Sequence, residues 1–301
     1  MKNTNISYII PAYNCTKFLP DAINSIFDGN FTVGDEVIIV DDASTDNTLK
    51  VAKKMQKKYP QIRIYRHHYN KGSAAAGRNT GIDNSKNDLI FCLDADNILS
   101  QASIPKLKVF LLSNNIDAVA FGKQHYFKDN INNVTHKWIY YSKITLEKCI
   151  NKSNRTPGPS GNYLFSKDSW LRAGKYFEPT LINQTLDSWT FLVRQLATGS
   201  KMLTLKDTYY FHRYGYDSHY MREYNKGNVS ISALIGLLPF LELIDNSSLE
   251  YIMGKKGRYS WSNNIEKHPI KLKNASLEIL RLTYNKVKNK LMKSILNRIV
   301  Q

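Results

Sequence analysis

Two carboxylates one residue apart, Asp94 and Asp96 around Ala95, stand where a run of apolar residues ends. Leu89 to Leu93 reads as a strand buried on both faces, and a charge at its tip must face solvent or a ligand. Two carboxylates that share an approach offer hard oxygen donors and leave coordination positions open. That suits Mg²⁺ or Mn²⁺ bridging a diphosphate. An isolated Asp-x-Asp is a short pattern that also arises as two solvated loop residues, so its surroundings decide its meaning. A second acidic pair, Asp41 and Asp42, follows the apolar run Glu36 to Val40, and Tyr13 with Asn14 follows the run Ile6 to Pro11. Further along, Asp187 heads a helical pattern running to Gly199. A carboxylate there is favoured by the helix dipole and can act as a proton acceptor or as a simple cap.

The elements that position these groups alternate. After the first strand, Thr16 is expected to cap a helix carrying Phe18, Leu19, Ala22, Ile23, Ile26 and Phe27 at helical spacing. After the second strand, Asp46 or Ser44 is expected to cap a helix carrying Leu49, Val51, Ala52 and Met55. Ile62 to Arg66 alternates as a third strand, and Lys71 to Gly81 opens a helix of small residues before the strand at Leu89. Four strands in about 100 residues, alternating with helices, predict a doubly wound, mostly parallel α/β sheet flanked by helices. Ligands in such sheets sit beyond the carboxyl ends of the strands, and Tyr13, Asp42, Asp94 and Asp96 all fall there.

The second half reads less sharply. Ala118 to Gly122 and Thr135 to Tyr141 are expected as partner strands. Arg155 to Gly161 carries the strongest loop signal, and Asn162 to Ser166 is a short strand, with Asp168 expected to cap the next helical turn. Gln184 to Leu196 reads as an amphipathic helix. Lys201 to Leu205 reads as a strand, followed by His212 and Arg213 in an aromatic run. Either residue can balance the charge of a departing diphosphate, and neutral imidazole can ligate metal. Asp217 and His219 are weaker candidates for acceptor contact. From residue 250 on, twelve basic residues face three acidic ones, and Leu277, Leu280, Tyr284, Val287, Leu291 and Ile295 recur at helical spacing. This predicts a basic amphipathic helix that lies on an anionic membrane, pairs with a second copy, or packs on the main domain.

The net charge of +17 calls for an anionic partner. The three cysteines, Cys15, Cys92 and Cys149, form no metal or disulfide pattern, which favours a reducing cytoplasm. No stretch has the ~20 apolar residues of a membrane span and no signal peptide is evident. The expected location is cytoplasmic, with peripheral contact to the inner membrane face through the tail. No Gly-x-Gly-x-x-Gly follows the first strand, which disfavours a dehydrogenase. Nucleotidyl transfer would require a Gly- and Arg/Lys-rich loop where Pro11 to Asn14 stands. A nucleic-acid binder is disfavoured because the basic residues gather in the tail.

Four segments together resemble the family 2 glycosyltransferases, which have the GT-A fold: Ile9 to Asn14, Val40 to Asp46, Asn70 to Gly81, and Leu93 to Asn97. The resemblance is strong over residues 5 to about 100, moderate to about 215 and absent after that. It implies inverting, metal-dependent transfer of a sugar from a UDP-sugar to a hydroxyl of a glycan, polymer or lipid-linked acceptor. The nucleotide would be held by Pro11, Ala12, Tyr13, Asn14, Asp42, Lys71, Gly72, Arg78, Asp94 and Ala95. Asp94 and Asp96, with His212 as third ligand, would hold Mn²⁺ or Mg²⁺, and Asp187 would be the general base. Arg213, Gly161, Asn162 and Trp189 would contact diphosphate or acceptor. The implied layout is a nucleotide-binding half (1–100), an acceptor-binding half (101–222) and a helical basic region (223–301).

Overall fold

A strand buried along its whole length must be apolar on both faces, and the first two strands are built that way. In a computed structural model that describes residues 4–178, 186–215, 235–248, 280 and 284, they form β1 (Ile6–Ala12) and β2 (Glu36–Asp41). The remaining strands are β3 (Ile62–Arg66), β4 (Leu89–Cys92), β5 (Ile98–Leu99), β6 (Ala118–Phe127), β7 (His136–Ile139), β8 (Lys143–Ile144), β9 (Tyr163–Ser166) and β10 (Met202–Arg213). The helices are α1 (Leu19–Phe27), α2 (Thr48–Lys58), α3 (Ala74–Asp83), α4 (Ser103–Ser113), α5 (Leu146–Asn151), α6 (Lys167–Arg172) and α7 (Asp187–Ala197). The segment 216–234 and nearly all of the basic tail lie outside the described residues, and so do Asp217 and His219.

All of these strands join one sheet, in the order β3-β2-β1-β4-β9-β6-β10-β5, with β7 on β6 and β8 on β10. The four strands β3, β2, β1 and β4 are parallel, as short helical crossovers require. β9 then runs antiparallel between β4 and β6, and β10 returns parallel to β6. Alternate residues of each strand serve opposite core layers. Ile9, Ile38, Ile90, Phe165, Trp170, Trp189 and Phe191 pack on the side of α3 and α7. Ile10, Ile39, Phe91, Leu107, Phe121 and Tyr210 pack on the side of α1 and α4.

The small residues of α3 have a steric cause. A Cβ at Gly81 would stand 2.4 Å from Ile9 Cγ2, and one at Gly77 would stand 2.9 Å from Pro11 Cβ. The helix therefore lies directly on β1, which sets Arg78 beneath the strand tips. Ser73 caps this helix by accepting the Ala75 N–H at 3.1 Å.

Three expected caps resolve differently. Thr16 does not cap α1. Its hydroxyl donates to Asp46 Oδ2 at 2.7 Å, and the helix starts after Phe18 with Pro20 in the first turn, where a missing N–H costs nothing. Asp46 takes the first N–H of α2, that of Thr48, at 2.9 Å, while Ser44 instead accepts the Asn14 N–H. Ser166, the last residue of the expected strand, caps α6, and Asp168 pairs with Arg172 one turn on. The strand expected at Lys201 to Leu205 continues to Arg213, with a register shift between Leu205 and Tyr209. α7 is more enclosed than an amphipathic helix: Ser188 through Gln195 are all buried, because α3, α5 and α6 all pack against it.

Candidate active site

The tips of β1 and β2 are tied by the Asp42 N–H donating to the Ala12 carbonyl at 2.8 Å. Asn14 adopts a left-handed conformation (φ 48°) and its Oδ1 accepts the Thr45 N–H at 2.9 Å. Asn is among the few residues that enter this region readily. The resulting turn presents Tyr13, 43% exposed, with its ring toward solvent. Pro11 is half-buried, and Ala12 and Ala95 are buried, so these three frame the crevice through backbone and apolar contact.

Asp42 is nearly buried, and its carboxylate is already engaged. It pairs with His67 Nδ1 at 2.6 Å and accepts the Lys71 N–H on both oxygens, at 3.0 and 3.1 Å. His67 Nε2 in turn meets Thr80 Oγ1 at 3.0 Å. Sequence reasoning missed His67; the signal available was a histidine one residue beyond a strand end, level with Asp42. Gly72 follows with φ +73° and donates to Asn70 Oδ1, while the Lys71 ammonium turns back to the Tyr69 hydroxyl at 2.8 Å.

Asp94 is the most supported carboxylate. Its Oδ1 accepts from Arg78 Nη2 at 2.6 Å, and its Oδ2 accepts from Asn162 Nδ2 at 3.2 Å and Asn97 Nδ2 at 3.3 Å. The Asp94 N–H also donates to Asn162 Oδ1 at 3.2 Å. Asn162, expected at the diphosphate or acceptor, is only 1% exposed and so acts as a mount for Asp94. Asn97 extends the network, its Nδ2 lying 3.4 Å from His212 Nδ1. It too went unassigned in the sequence, although it directly follows the acidic pair.

Arg78 Nη1 holds Asp187 Oδ2, so one guanidinium, 4% exposed, bridges Asp94 and Asp187 from opposite sides. The two carboxylates keep this guanidinium protonated, against the opposing pull of burial. Asp187 is the first residue of α7, behind Leu186 at φ 60°. A branched residue in that region is costly, of order 1 kcal/mol or more, and marks a turn fixed by its surroundings. The other Asp187 oxygen accepts no hydrogen bond among the described residues. Gly161, φ +68°, lies so close to α7 that a Cβ would stand 2.4 Å from Ser188 Oγ. That close approach sets the mouth of the crevice.

Three further residues expected at the site make the following contacts. Trp189 is 1% exposed and its indole N–H donates to the Cys149 carbonyl at 2.9 Å, so it is a core residue and not an acceptor contact. Arg213 is 6% exposed, its Nε donating to the Asp96 carbonyl at 3.1 Å and its Nη1 to the Lys128 carbonyl at 3.0 Å. It lies between the Phe18 and Phe127 rings. Arg213 thus braces the loop that carries Asp96. His212 is linked to Asp94 by Asn97, and among the described residues no three His, Cys, Asp or Glu side chains converge as a metal cluster.

The residues present still suit a hard divalent cation. The Asp96 carboxyl receives no side-chain donor among the described residues. Burial, and then repulsion from Asp94, push its pKa up to about 7. An ion bound between the two would remove both penalties, and a cation that keeps water or phosphate ligands needs only one or two protein carboxylates.

A mixed sheet whose strand tips carry this acidic crevice is the architecture of the GT-A glycosyltransferases. The family model described as Glycosyl transferase family 2 matches residues 7–170, and the chain belongs to that family. It is a glycosyltransferase. Among curated proteins it is 24% identical over 220 residues to the glycosyltransferase GlyG of Streptococcus pneumoniae, covering 69% of this chain and 70% of that one. It is 34% identical over 117 residues to the poly(ribitol-phosphate) beta-N-acetylglucosaminyltransferase TarP of Staphylococcus aureus, covering 38% of this chain and 35% of that protein. Against the poly(ribitol-phosphate) beta-glucosyltransferase of Bacillus spizizenii, 72% of this chain aligns with a third of the relative's length, 33%. The fold matches Staphylococcus aureus TarS residues 1–349 solved with UDP-GlcNAc (TM-score 0.68, 17% identity, 89% of this chain and 76% of that one). It also matches the mannosyltransferase PcManGT of Pyrobaculum calidifontis solved with GDP-Man and Mn²⁺ (TM-score 0.60, 15% identity, 97% and 81%).

Proposed function

We propose that the chain transfers a sugar, with inversion, from a UDP-sugar to a hydroxyl of a glycan or polymer acceptor. The observation that carries this is the Arg78 bridge. It brings Asp94, of the acidic pair beyond β4, and Asp187, at the head of α7, to one guanidinium, although they are 93 residues apart in sequence. Donor and acceptor chemistry thereby share one crevice. Tyr13 offers an exposed ring face to the base, and the strand-tip turn around Asp42 borders it.

The acceptor hydroxyl approaches Asp187, which takes its proton as the oxygen bonds to the anomeric carbon. The bond from that carbon to the diphosphate breaks on the far side and UDP departs with the electron pair. Proton removal of this kind contributes ~10²–10⁴-fold. Asp94 and Asp96 would hold Mn²⁺ or Mg²⁺, which offsets charge on the diphosphate when bound. Arg78 supplies fixed positive charge at the same place, where low solvent access strengthens it.

The UDP assignment is supported by the relatives solved with UDP and UDP-GlcNAc, and GDP is the competing reading because one fold relative was solved with GDP-Man. Thermal unfolding with Mn²⁺ and UDP, GDP or ATP in turn separates them. A gain of several degrees with UDP alone is expected. A larger gain with GDP would overturn the UDP assignment, and release of UDP from a panel of UDP-sugars then identifies the sugar.

A further inference from the structure

A carboxylate offers about four lone pairs, and the way its donors are spread over them decides where it can still accept. Asp42, just beyond β2, is clasped by one loop. The His67 N–H donates to the Asp41 carbonyl at 2.9 Å, Asn70 Nδ2 donates to the Asp42 carbonyl at 3.2 Å, and the Lys71 N–H reaches both carboxylate oxygens. The His67 ring completes the clasp on Oδ1 at 2.6 Å. An ionised carboxylate only accepts, so Nδ1 carries the proton in this contact. Nε2 of the neutral ring then accepts from the Thr80 hydroxyl of α3 at 3.0 Å. The side chains of Asp42 and His67 are each only 10% exposed.

The donors are unevenly shared. Oδ1 takes His67 and part of the Lys71 N–H, while Oδ2 takes, among the described residues, only the other part of that N–H at 3.1 Å. Oδ2 therefore keeps acceptor capacity. His67 on one side and a backbone N–H on the other stop the carboxylate from turning, so this capacity keeps one direction. Tyr13 stands on the adjoining strand end, which the Asp42 N–H ties down through the Ala12 carbonyl. A base on the exposed Tyr13 ring would have Asp42 as its neighbouring acceptor. Uracil carries an N–H at N3, and cytosine carries a bare lone pair there. A carboxylate held in one direction accepts the first and repels the second. A carboxylate free to turn would also swing to the amino group of cytosine.

We infer that His67 is a positioning residue for donor choice: braced by Thr80, it locks Asp42 so that the site takes uracil and rejects cytosine. The inference rests on the UDP-sugar reading and deepens it, by naming what enforces the base. The test is calorimetric titration of the full chain with UDP and with CDP, Mn²⁺ present throughout. The parent should bind UDP at least ~10-fold tighter than CDP. His67→Phe keeps a flat ring without the donor and should bring that ratio close to one. His67→Asn can place its Nδ2 where Nδ1 stood and should restore most of the ratio. Thr80→Val removes a hydroxyl that touches His67 and should lower the ratio roughly threefold, which decides the matter if His67→Phe does not fold. A ratio unchanged in His67→Phe, an equal loss of both nucleotides with the ratio intact, or, where only Thr80→Val folds, an unchanged ratio there would each overturn the inference and leave the UDP assignment standing. A parent that binds UDP and CDP equally would do the same, whereas a parent that binds neither would overturn both together.

Discussion

Arg78→Met removes the cation that two carboxylates share. Its side chain is 5% exposed, while those of Asp94 and Asp187 are 27% and 17% exposed. Breaking a fully buried pair costs ~3–5 kcal/mol, and the partial exposure of both partners lowers the figure here to ~2–3 kcal/mol. For a chain of this size that is a fall in Tm of roughly 4–10 °C. The decisive measurement is a double-mutant cycle by urea unfolding. Asp187→Asn alone also disturbs the bridge, so Arg78→Met with Asp187→Asn should cost less than the sum of the two single changes by at least ~1 kcal/mol. Costs that add within ~0.5 kcal/mol would show that Arg78 and Asp187 do not feel one another, and the case for a shared crevice would fail.

Four further outcomes follow from the same geometry. Asp187→Asn should keep the UDP-induced thermal gain and lose ~10²–10⁴-fold in turnover, measured as UDP release with acceptor present. Gly161→Ala should destabilise by ~1–3 kcal/mol in urea unfolding, since the added methyl strikes Ser188 and the backbone there has positive φ. Asn162→Ala should weaken Mn²⁺ binding ~10–100-fold in calorimetry by releasing both ends of Asp94, without changing which nucleotide is preferred. Chelating the metal with EDTA should remove most of the thermal gain produced by UDP, and restoring Mn²⁺ should return it.

Where local rules govern, the sequence was readable. The continuous apolar runs became β1, β2 and β4, and their acidic or aromatic ends met at one edge because parallel strands joined by helices must all end on the same side. The run of Ala and Gly before Asp83 announced a helix of small residues, though not that it would press against β1. What escaped was set by contacts distant in sequence. Nothing in Asn162 says that it will bond Asp94, because that contact exists only once β9 has inserted beside β4. Trp189 and Arg213 carry side chains that bind ligands or fill cores equally well. Their roles followed from what packs around them: α5 against α7 for Trp189, and the rings of Phe18 and Phe127 for Arg213.

The antiparallel β9 has a consequence for how this protein is made. When the ribosome has released only the first hundred residues, β4 has β1 on one side and an open edge on the other, with its pairing partner still unsynthesised. An apolar strand left unpaired in this way recruits foreign strands. Asp94 at its tip gains its amide support only when residues 162 to 166 emerge and close that edge. Nascent chains halted before this point should aggregate, whereas chains halted just after it should remain dispersed.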